Sequence, residues 1–490
     1  MRRDRLYCSL IIFSNVVSIL RSSCSEEKFY NYSQALLNGP QQPIREYALQ
    51  RLRLRNTHRL PLLVPEQPTD GAPTSPMNPP TSYNNLALET RDYITSLLDE
   101  RSIWALAHVS RTENFIAVRF IPLVLTPQTI NQNNLFTHYE RYARVRELLI
   151  RSGAQERLRP YQIPLIARFF PRITRLGIHN TCITTSLAQA LSESNTFINI
   201  LHFDLSTSSF EANSRQQVIT YLAQANFAPC LQTINFSRTG FSKTEGCALS
   251  IARAFPALQK LNLSHNPEGD VYVLSSIAYM AFTPHLKVLK MANMGLSQGW
   301  KLVPLKQKAV HMQNSVCEQH VPTFMNIKVL DVSHNALGDI SIKNCVIDAV
   351  FAPKLTTLVL ANTGITALGI KYLVEIKTLI KLKKLDLSYN NLGESINQLA
   401  QTIFADQLRV LNLAGIDTTN QALLSCVESM PNLEILIISD NNQLSFAGIT
   451  QLIENLSKLK KLIIRNLALK QEAIKLLKEQ TQKRAVELFF

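Results

Sequence analysis

The sequence predicts an α/β solenoid, in which short parallel strands alternate with helices along a repeating chain. The first observation is the motif L-x-x-L-x-L-x-x-N-x-L, whose clearest copies begin at Leu258, Ile327 and Leu382. The second is the spacing of apolar residues between copies, which in 367–379 is that of a helix. The motif leucines point inward from a strand and stack on those of the next copy. A stack of such units buries a core that no single unit could bury alone.

Residues 1–80 are predicted to be an N-terminal extension that ends in a proline-rich linker. Segment 1–24 begins with basic residues and continues into a short apolar run, which is typical of a signal peptide. An interfacial helix is one alternative, and a start assigned too far upstream, with Met77 as the next methionine, is another. The run is too short to span a bilayer, so no transmembrane segment is predicted. Prolines with glycine and serine after residue 63 predict a flexible linker.

A small helical module is predicted at 81–125. Its apolar residues are spaced for two or three short helices, and Asp99 and Ser102 are residue types that cap helix N-termini. A piece of about 40 residues buries too little apolar surface to fold alone. We therefore expect it to pack on the solenoid or on another protein.

Leu86 and Glu89 open this module and Ile94 follows. Ser96, Leu98 and Asp99 form a turn, and the module closes with Ile103, Leu106, Val109, Ser110 and Arg111. In this order the residues resemble the F-box, the motif that docks substrate receptors on the Skp-type adaptor of an SCF ubiquitin ligase. Two residues depart from the family pattern: Ala87 replaces a proline, and Thr90 replaces an apolar residue. The resemblance implies the adaptor and a cullin as partners. It implies an adaptor-binding surface that contains Leu86, Glu89, Ile94, Leu98, Ile103, Leu106 and Val109. A helical packing module without a docking role is the alternative.

Residues 126–172 are predicted to be a helical linker and N-terminal cap. The arginine-rich segment 138–172 is expected to be helical and to cover the first repeat. At the other end, 469–490 is predicted to be a helical closing segment. A solenoid needs both caps because its terminal repeats would otherwise expose their cores.

The repeats fill 173–490 and number about eleven. Weaker copies of the motif begin at Ile173, Ile198, Leu231, Leu286, Leu355, Leu408, Leu433 and Leu459. Successive starts lie 25, 33, 27, 28, 41, 28, 27, 26, 25 and 26 residues apart. The pattern resembles the ribonuclease-inhibitor-like class of leucine-rich repeats, which implies a horseshoe with a parallel inner sheet and outer helices. The insertion 298–322, in the longest repeat, is expected to form a loop beside the binding face that helps to contact a partner, and elongation of the convex side is the alternative.

The ninth motif position turns the chain inward, where a side-chain amide can satisfy backbone groups that the turn leaves unpaired. Asparagine occupies this position at Asn266, Asn335, Asn390 and Asn441. The residues assigned to it in the other copies are Thr181, Ser206, Thr239, Met294, Thr363, Ile416 and Leu467. The sequence therefore predicts a partial asparagine ladder.

The open face of the sheet is predicted to bind a target protein, because repeat proteins commonly use this face. The predicted target-binding residues, all on the central repeats, are His265, Lys290, Asp331, His334, Asp386 and Tyr389. Tyr389 is expected to be the main anchor, since aromatic residues dominate binding hot spots. A solvated face, with the partner bound elsewhere, is the alternative.

Composition excludes several other functions. The net charge of +15 is spread along the chain rather than gathered in an aromatic-rich patch, so no specific nucleic acid is predicted as a partner. The eight cysteines include no C-x-x-C pair, which indicates no metal site and favours a reducing compartment. No catalytic arrangement and no cofactor motif is present, so no enzyme is predicted. A leucine-rich-repeat scaffold or GTPase-regulator-like protein without a ubiquitin role remains an alternative.

The order of an F-box before leucine-rich repeats resembles the effectors that intracellular bacteria such as Legionella inject into host cells. The resemblance covers roughly residues 86–490. It implies export by type IV secretion and work in the host cytoplasm, with a cytoplasmic protein as the alternative. The function expected from the sequence is that of a non-catalytic substrate receptor.

Overall fold

The computed structural model describes residues 120–138, 142–153, 156–242, 244–246, 248, 255–268, 282–297, 324–343 and 349–490. The F-box-like segment 86–111, the proline-rich linker and the insertion 298–322 lie outside the described residues. The described chain divides into two compact units.

The first unit has a small core of its own. Its described residues are 120–124, 132–138, 142–149 and 169–173. Leu135, Val145 and Leu148 are fully buried. The ring centroids of Tyr142 and Phe170 lie 5.0 Å apart, a distance typical of packed aromatic rings.

The second unit comprises 125–131, 150–168 and the described part of 174–490. The strands, numbered along the whole described chain, are β1 (Leu123–Leu125), β2 (Glu147–Arg151), β3 (Arg175–His179), β4 (Cys182–Ile183), β5 (His202–Asp204), β6 (Ser209–Phe210), β7 (Thr233–Asn235), β8 (Lys260–Asn262), β9 (Val288–Lys290), β10 (Val329–Asp331), β11 (Thr357–Val359), β12 (Lys384–Asp386), β13 (Val410–Asn412), β14 (Ile435–Ile437), β15 (Lys461–Ile463) and β16 (Glu487–Phe489).

The α-helices are α1 (Gln132–Thr137), α2 (Gln162–Phe169), α3 (Thr185–Glu193), α4 (Arg215–Gln224), α5 (Gly338–Ile342), α6 (Ala367–Glu375), α7 (Asn420–Val427), α8 (Phe446–Asn455) and α9 (Gln471–Lys483). Short 3-10 helices take the place of an α-helix in some repeats, as at Gly393–Gln401. The helix predicted within 367–379 is confirmed as α6.

Strands β3, β5 and β7 to β16 of the second unit follow one another as parallel neighbours. The fourth motif residues lie in register: Leu330 pairs with Leu289 on one side and Leu358 on the other. All three leucines are completely buried, as expected for a core that continues from repeat to repeat. The predicted α/β solenoid is therefore confirmed for this unit.

Each ladder asparagine ties its own repeat to the preceding one. The Oδ1 atom of Asn390 accepts hydrogen bonds from the backbone N–H groups of Thr363 (2.9 Å) and Ile365 (3.1 Å). Its Nδ2 donates to the carbonyls of Leu360 (2.8 Å) and Leu387 (2.9 Å). One buried amide thus satisfies four backbone groups in two repeats.

The asparagines occur in every second repeat, so one side chain serves two turns. Those at 266, 335 and 441 make equivalent contacts to the preceding turn and to their own. The ninth positions between them hold Thr239, Met294, Thr363 and Ile416. The ladder is therefore partial, as predicted, and its four amides join these eight repeats in pairs.

The predicted register of the second repeat is wrong by two residues. Phe203 pairs with Leu176 of the first repeat, which places the start of the motif at Ile200 rather than Ile198. Ile200 is fully buried, whereas Ile198 is 52% exposed. Both isoleucines fit a loose apolar pattern, and the pairing of β5 and the burial of Ile200 distinguish them.

The ninth position of this repeat is consequently Ser208 and not Ser206. The hydroxyl of Ser208 accepts a hydrogen bond from the Thr181 N–H (3.1 Å) and donates to the Ile178 carbonyl (2.8 Å). It therefore performs, with one oxygen, part of the role of a ladder asparagine. Ser206 lies two residues earlier, on the open side of the sheet.

A hydroxyl residue begins several of the helices behind the sheet. The side chains of these residues accept a hydrogen bond from a backbone N–H in the first turn of the helix: Thr184, Thr366, Thr419 and Ser445. Such caps satisfy donors that the first helical turn leaves unpaired. They fix where each strand–turn segment ends and its helix begins.

Three predicted helical regions contain strands. The predicted module 81–125 ends in β1, and the predicted helical cap 126–172 contains β2. In the closing segment, α9 is followed by β16, which pairs in parallel with β15. Around β2, Val145, Leu148 and Ile150 have the spacing of motif positions one, four and six. The arginines around them, Arg144, Arg146 and Arg151, obscured that spacing.

Candidate functional site

The spacer positions of the motif place their side chains on the open side of the sheet, which we call the concave face. In each repeat these are the third, fifth, seventh and eighth residues. The predicted target-binding residues Lys290, Asp331 and Asp386 occupy the fifth position, and His265, His334 and Tyr389 occupy the eighth. All six therefore belong to one face.

The eighth position forms a row of residues in the left-handed backbone region. The φ angles are 62° at His265, 56° at His334 and 55° at Tyr389. Other repeats place Asn293, Asn362 and Asp440 there, also with positive φ. Asparagine and aspartate tolerate this region better than other non-glycine residues. The row is therefore a product of the turn that ends each strand, and its side chains project beside the face at fixed intervals.

The two predicted target-binding aspartates have a local structural role that the sequence did not reveal. Oδ1 of Asp386 accepts hydrogen bonds from the N–H (3.0 Å) and the hydroxyl (2.6 Å) of Ser388. Asp331 makes the same pair of contacts to Ser333, at 3.2 and 2.7 Å. These carboxylates stabilise the turn after the strand. Oδ2 of Asp386 also accepts a hydrogen bond from Nδ2 of Asn412 at 2.9 Å, so both oxygens of this carboxylate are engaged within the protein.

Tyr389 lies across the neighbouring repeat. A Cβ atom at Gly415 would stand 2.6 Å from Cδ1 of Tyr389, so the ring occupies the space that the glycine leaves open. The hydroxyl reaches the second repeat beyond its own and donates to Oδ2 of Asp440 at 2.8 Å. Nδ2 of Asn466 donates to the other oxygen of that carboxylate, also at 2.8 Å. The ring is nevertheless 53% exposed. Tyr389 is therefore both held in place and accessible.

The bond to Asp440 changes the acidity of this tyrosine. The hydrogen bond that the phenol donates to the carboxylate raises the pKa of Tyr389 above its usual value, and partial burial adds to the effect. The hydroxyl therefore stays protonated at neutral pH and remains a donor.

Basic groups crowd the earlier repeats of the face. Burial lowers the pKa of His265, and the charges of Arg238 and His334 lower it further. Burial also lowers the pKa of His202, to which the charges of Arg175 and Lys260 add. These two histidines therefore stay neutral at pH 7 and act as hydrogen-bonding groups rather than as cations.

Residues that the sequence prediction missed also contribute to the concave face. Arg238 and Lys260 occupy its eighth and third positions in the weak copy at Leu231 and the copy at Leu258. The last strands add half-buried apolar side chains at Val410, Ile435, Ile437, Ile463 and Phe489. Applying the motif positions to every copy, weak ones included, would have found most of them.

The predicted adaptor-binding residues lie in the segment 86–111, outside the described residues. Their placement stays a prediction.

The described residues carry little reactive chemistry. Among them, no group of three or more His, Cys, Asp or Glu side chains could hold a metal ion. Complete burial raises the pKa of the Cys426 thiol to about 12, so this cysteine stays protonated and packs in the core. No helix in the described part of the chain combines the length and apolar character needed to cross a membrane.

Two segments of the chain match models of the leucine rich repeat, at residues 325–343 and 381–401. The chain therefore contains leucine-rich repeats, and as such it has the fold of a protein-interaction scaffold. Among curated proteins it is similar to the monocyte differentiation antigen CD14 of Mus musculus, at 32% identity over 152 residues. That match covers 29% of this chain and 33% of the antigen, so the chain spans about a third of this relative's length.

Solved structures with a similar course of the chain come from several organisms. An internalin from Listeria monocytogenes is 14% identical, with 74% of this chain and 93% of that chain covered and a TM-score of 0.40. In the complex of Rad7 and Elc1 from yeast, the matching chain is 14% identical, with 78% and 91% covered and a TM-score of 0.44. A leucine-rich-repeat protein from Leptospira interrogans is 15% identical, with 77% and 92% covered and a TM-score of 0.36.

Proposed function

We propose that this chain is a non-catalytic substrate receptor of an SCF-type ubiquitin ligase. In this proposal the F-box-like module docks the Skp-type adaptor, and the adaptor connects the chain to a cullin. The concave face binds a target protein. The receptor supplies proximity between target and ligase, and the ligase supplies the chemistry.

One observation carries the proposal: an F-box-like motif at 86–111 precedes a leucine-rich-repeat solenoid in one chain. The solenoid supports the second half of the proposal because its open face is rigidly held. The buried amides join consecutive turns, and the aspartate–serine contacts fix the ends of the strands. A preorganised face loses little conformational freedom on binding, which favours affinity.

The docking half is tested by replacing Leu98 and Ile103 together with alanine in the full chain. Both are expected to be apolar anchors, and loss of two such anchors weakens affinity on the order of a hundredfold. The measurement is the Kd for a purified Skp-type adaptor. The matched control replaces Leu476 and Ile403, two exposed apolar residues of the solenoid, with alanine.

We expect the control variant to bind the adaptor like the wild type and the Leu98/Ile103 variant to lose binding. Both should keep the circular dichroism of the wild type. Undiminished adaptor binding by the Leu98/Ile103 variant would contradict the F-box assignment. If the wild-type chain does not bind the adaptor, the alternative function applies, that of a leucine-rich-repeat scaffold without a ligase role.

The resemblance to secreted effectors also suggests the compartment in which the protein acts. The chain would be exported by a bacterial type IV secretion system and would act in the host cytoplasm. A fusion to a reporter enzyme that is active only in host cytoplasm tests this. We expect a signal that disappears in bacteria lacking the secretion system, whereas no signal from secretion-competent bacteria would contradict it.

A further inference from the structure

The concave face changes character along the solenoid. On β7 to β10 and the turns that follow them, the charged and imidazole side chains are Arg238, Lys260, His265, Lys290, His334 and Asp331. We call this part the basic half. On β12 to β16, the charges balance: Lys384, Lys461 and Arg465 stand against Asp386, Asp440 and Glu487. The excess of positive charge is thus confined to the earlier strands.

One acid, Asp331, stands against the three cationic side chains Arg238, Lys260 and Lys290, so an excess of positive charge remains in the basic half. One oxygen of Asp331 is committed to Ser333. Within the described residues, no carboxylate lies at ion-pair distance from Arg238, Lys260 or Lys290. The lowered pKa of His265, due to burial and then to the charge of Arg238, is a further sign of this crowding. Cations that outnumber the nearby acids and form no ion pairs favour an anionic partner.

The last strands carry an apolar patch on the same face. Ile437 pairs with Ile463, and Ile463 pairs with Phe489, so these three side chains follow one another across β14 to β16. Val410 pairs in the same way with Ile435. All five are half-buried, and the Lys461 ammonium lies 4.1 Å from the centre of the Phe489 ring. We call these five residues the apolar half.

We propose that the concave face takes one extended polypeptide segment, with acidic residues on the basic half and apolar residues on the apolar half. This inference rests on the proposed function, because it names the chemistry of the target that the face would bind. Its occupant is a partner protein that carries such a segment.

The dimensions fit one continuous segment. Nine strand intervals separate β7 from β16, and at ~4.8 Å each they span about 43 Å along the sheet. An extended chain covers ~3.3 Å per residue, so about 13 residues bridge this distance. Tyr389 lies between the two halves, on the turn after β12, where its exposed ring can contact the middle of the segment.

A polypeptide fits the face better than a single-stranded nucleic acid. Proteins that bind nucleic acid strands stack the bases on exposed aromatic rings. The basic half holds no Phe, Tyr or Trp: its concave positions on β7 to β10 carry Thr, Asn, Ser, Val, Ala, Asp331 and the basic residues already named. A nucleic acid also has no aliphatic side chains for the apolar half. Both halves together therefore favour a polypeptide.

The test uses the full chain and synthetic peptides of about 14 residues, the length that spans the face. One end carries glutamates and the other carries leucines alternating with serines, and both orientations are made. In control peptides, glutamine replaces glutamate or serine replaces leucine. Binding is measured by fluorescence anisotropy at two salt concentrations. We expect one orientation to bind at least tenfold more tightly than either control peptide, and more weakly at high salt.

Protein variants locate the site. The charge-reversal variant R238E/K260E/K290E should weaken binding at least tenfold. A matched variant with the same charge change outside the concave positions, K354E/K371E/K381E, should stay within about twofold of the wild type, since distant surface charges are screened. The variant I437S/I463S should weaken binding of the leucine-containing peptide and leave the serine-substituted control peptide unaffected.

Equal losses in the two charge-reversal variants would show that net charge alone drives binding and would overturn the inference. Binding of a thymidine 15-mer to the wild type as tightly as the best peptide would also overturn the inference. Adaptor is absent from this assay, so failure of F-box docking cannot change its outcome. If no peptide binds while the adaptor does, the inference fails and the proposed function stands.

Discussion

At the scale of single residues, the ladder asparagines should contribute more to stability than any side chain on the concave face. Replacing Asn390 with alanine leaves the buried N–H groups of Thr363 and Ile365 without their acceptor. We expect the free energy of unfolding to fall by on the order of 3 kcal/mol, because buried donors lose their partners. Urea denaturation of the full chain, followed by circular dichroism, measures this loss.

Asn432 provides the control. Its amide donates to the carbonyl of Asp406 at 2.6 Å, but this contact lies at the surface. Because water can replace the contact, N432A should lower the free energy of unfolding by less than about 1 kcal/mol. Equal losses for N390A and N432A would contradict the role assigned to the ladder.

The contact between Tyr389 and Asp440 should be visible in a pH titration. The pKa of Tyr389 is raised mainly because its phenol donates a hydrogen bond to the carboxylate. The stabilisation from this bond is fully present below the ordinary tyrosine pKa of about 10 and is lost as pH rises through the raised value. We expect D440N to lower the pKa of Tyr389, measured by phenolate absorbance as the difference from a Y389F chain. An unchanged pKa in D440N would contradict the contact.

The sequence alone predicted which asparagines form the ladder, but it did not predict which side chains of different repeats contact one another. The motif placed Asn266, Asn335, Asn390 and Asn441 at the inward turn because amides suit that position. It could not show that Tyr389 reaches Asp440, since that contact depends on the gap above Gly415 and on the distance between repeats. Contacts between residues 51 positions apart require the strand pairing to be known.

At the scale of elements, the repeats could be predicted because each carries the same alternation of apolar residues. Strands β1, β2 and β16, which were not predicted, lie outside the copies of the motif, before the first copy or after the last one. Strand β2 follows an arginine-rich stretch. Strand β16 is only three residues long and follows a helix, so it was included in the predicted helical segment. Helix starts were less visible because the caps are single hydroxyl residues, such as Thr366, that resemble the loop residues around them.

Strand β16 should protect the edge of the last complete repeat. The Ile464 N–H donates to the Phe489 carbonyl at 2.9 Å, and the Glu487 N–H donates to the Lys460 carbonyl at 2.7 Å. Deleting residues 487–490 removes these bonds and exposes the edge of β15. We expect hydrogen exchange at Ile464 to accelerate, while deletion of Phe490 alone, which is 41% exposed, should leave it unchanged. Unchanged exchange at Ile464 in the longer deletion would contradict the pairing.

At the scale of the whole molecule, the sequence predicts the fold more completely than it predicts the function. The repeating core predicts the solenoid, because burial of leucines in register leaves few other folds. The concave face follows from the motif positions. Its division into a basic and an apolar half follows from the third, fifth and eighth positions of every copy of the motif, weak copies included, except at Phe489. The identity of a target depends on that division, and no motif encodes it.

The central claim is that one chain docks an adaptor through its F-box-like module and a target through the concave face. The most direct measurement is quantitative mass spectrometry of the proteins that co-purify with the full chain from a eukaryotic lysate. The wild type is compared with a variant in which Tyr389 and His334 are both alanine. These two exposed residues lie on the concave face, away from the F-box-like segment in the sequence. We expect the adaptor and cullin at wild-type levels and a target depleted at least tenfold. Retention of every partner by the variant, or loss of the adaptor together with the target, would contradict the claim.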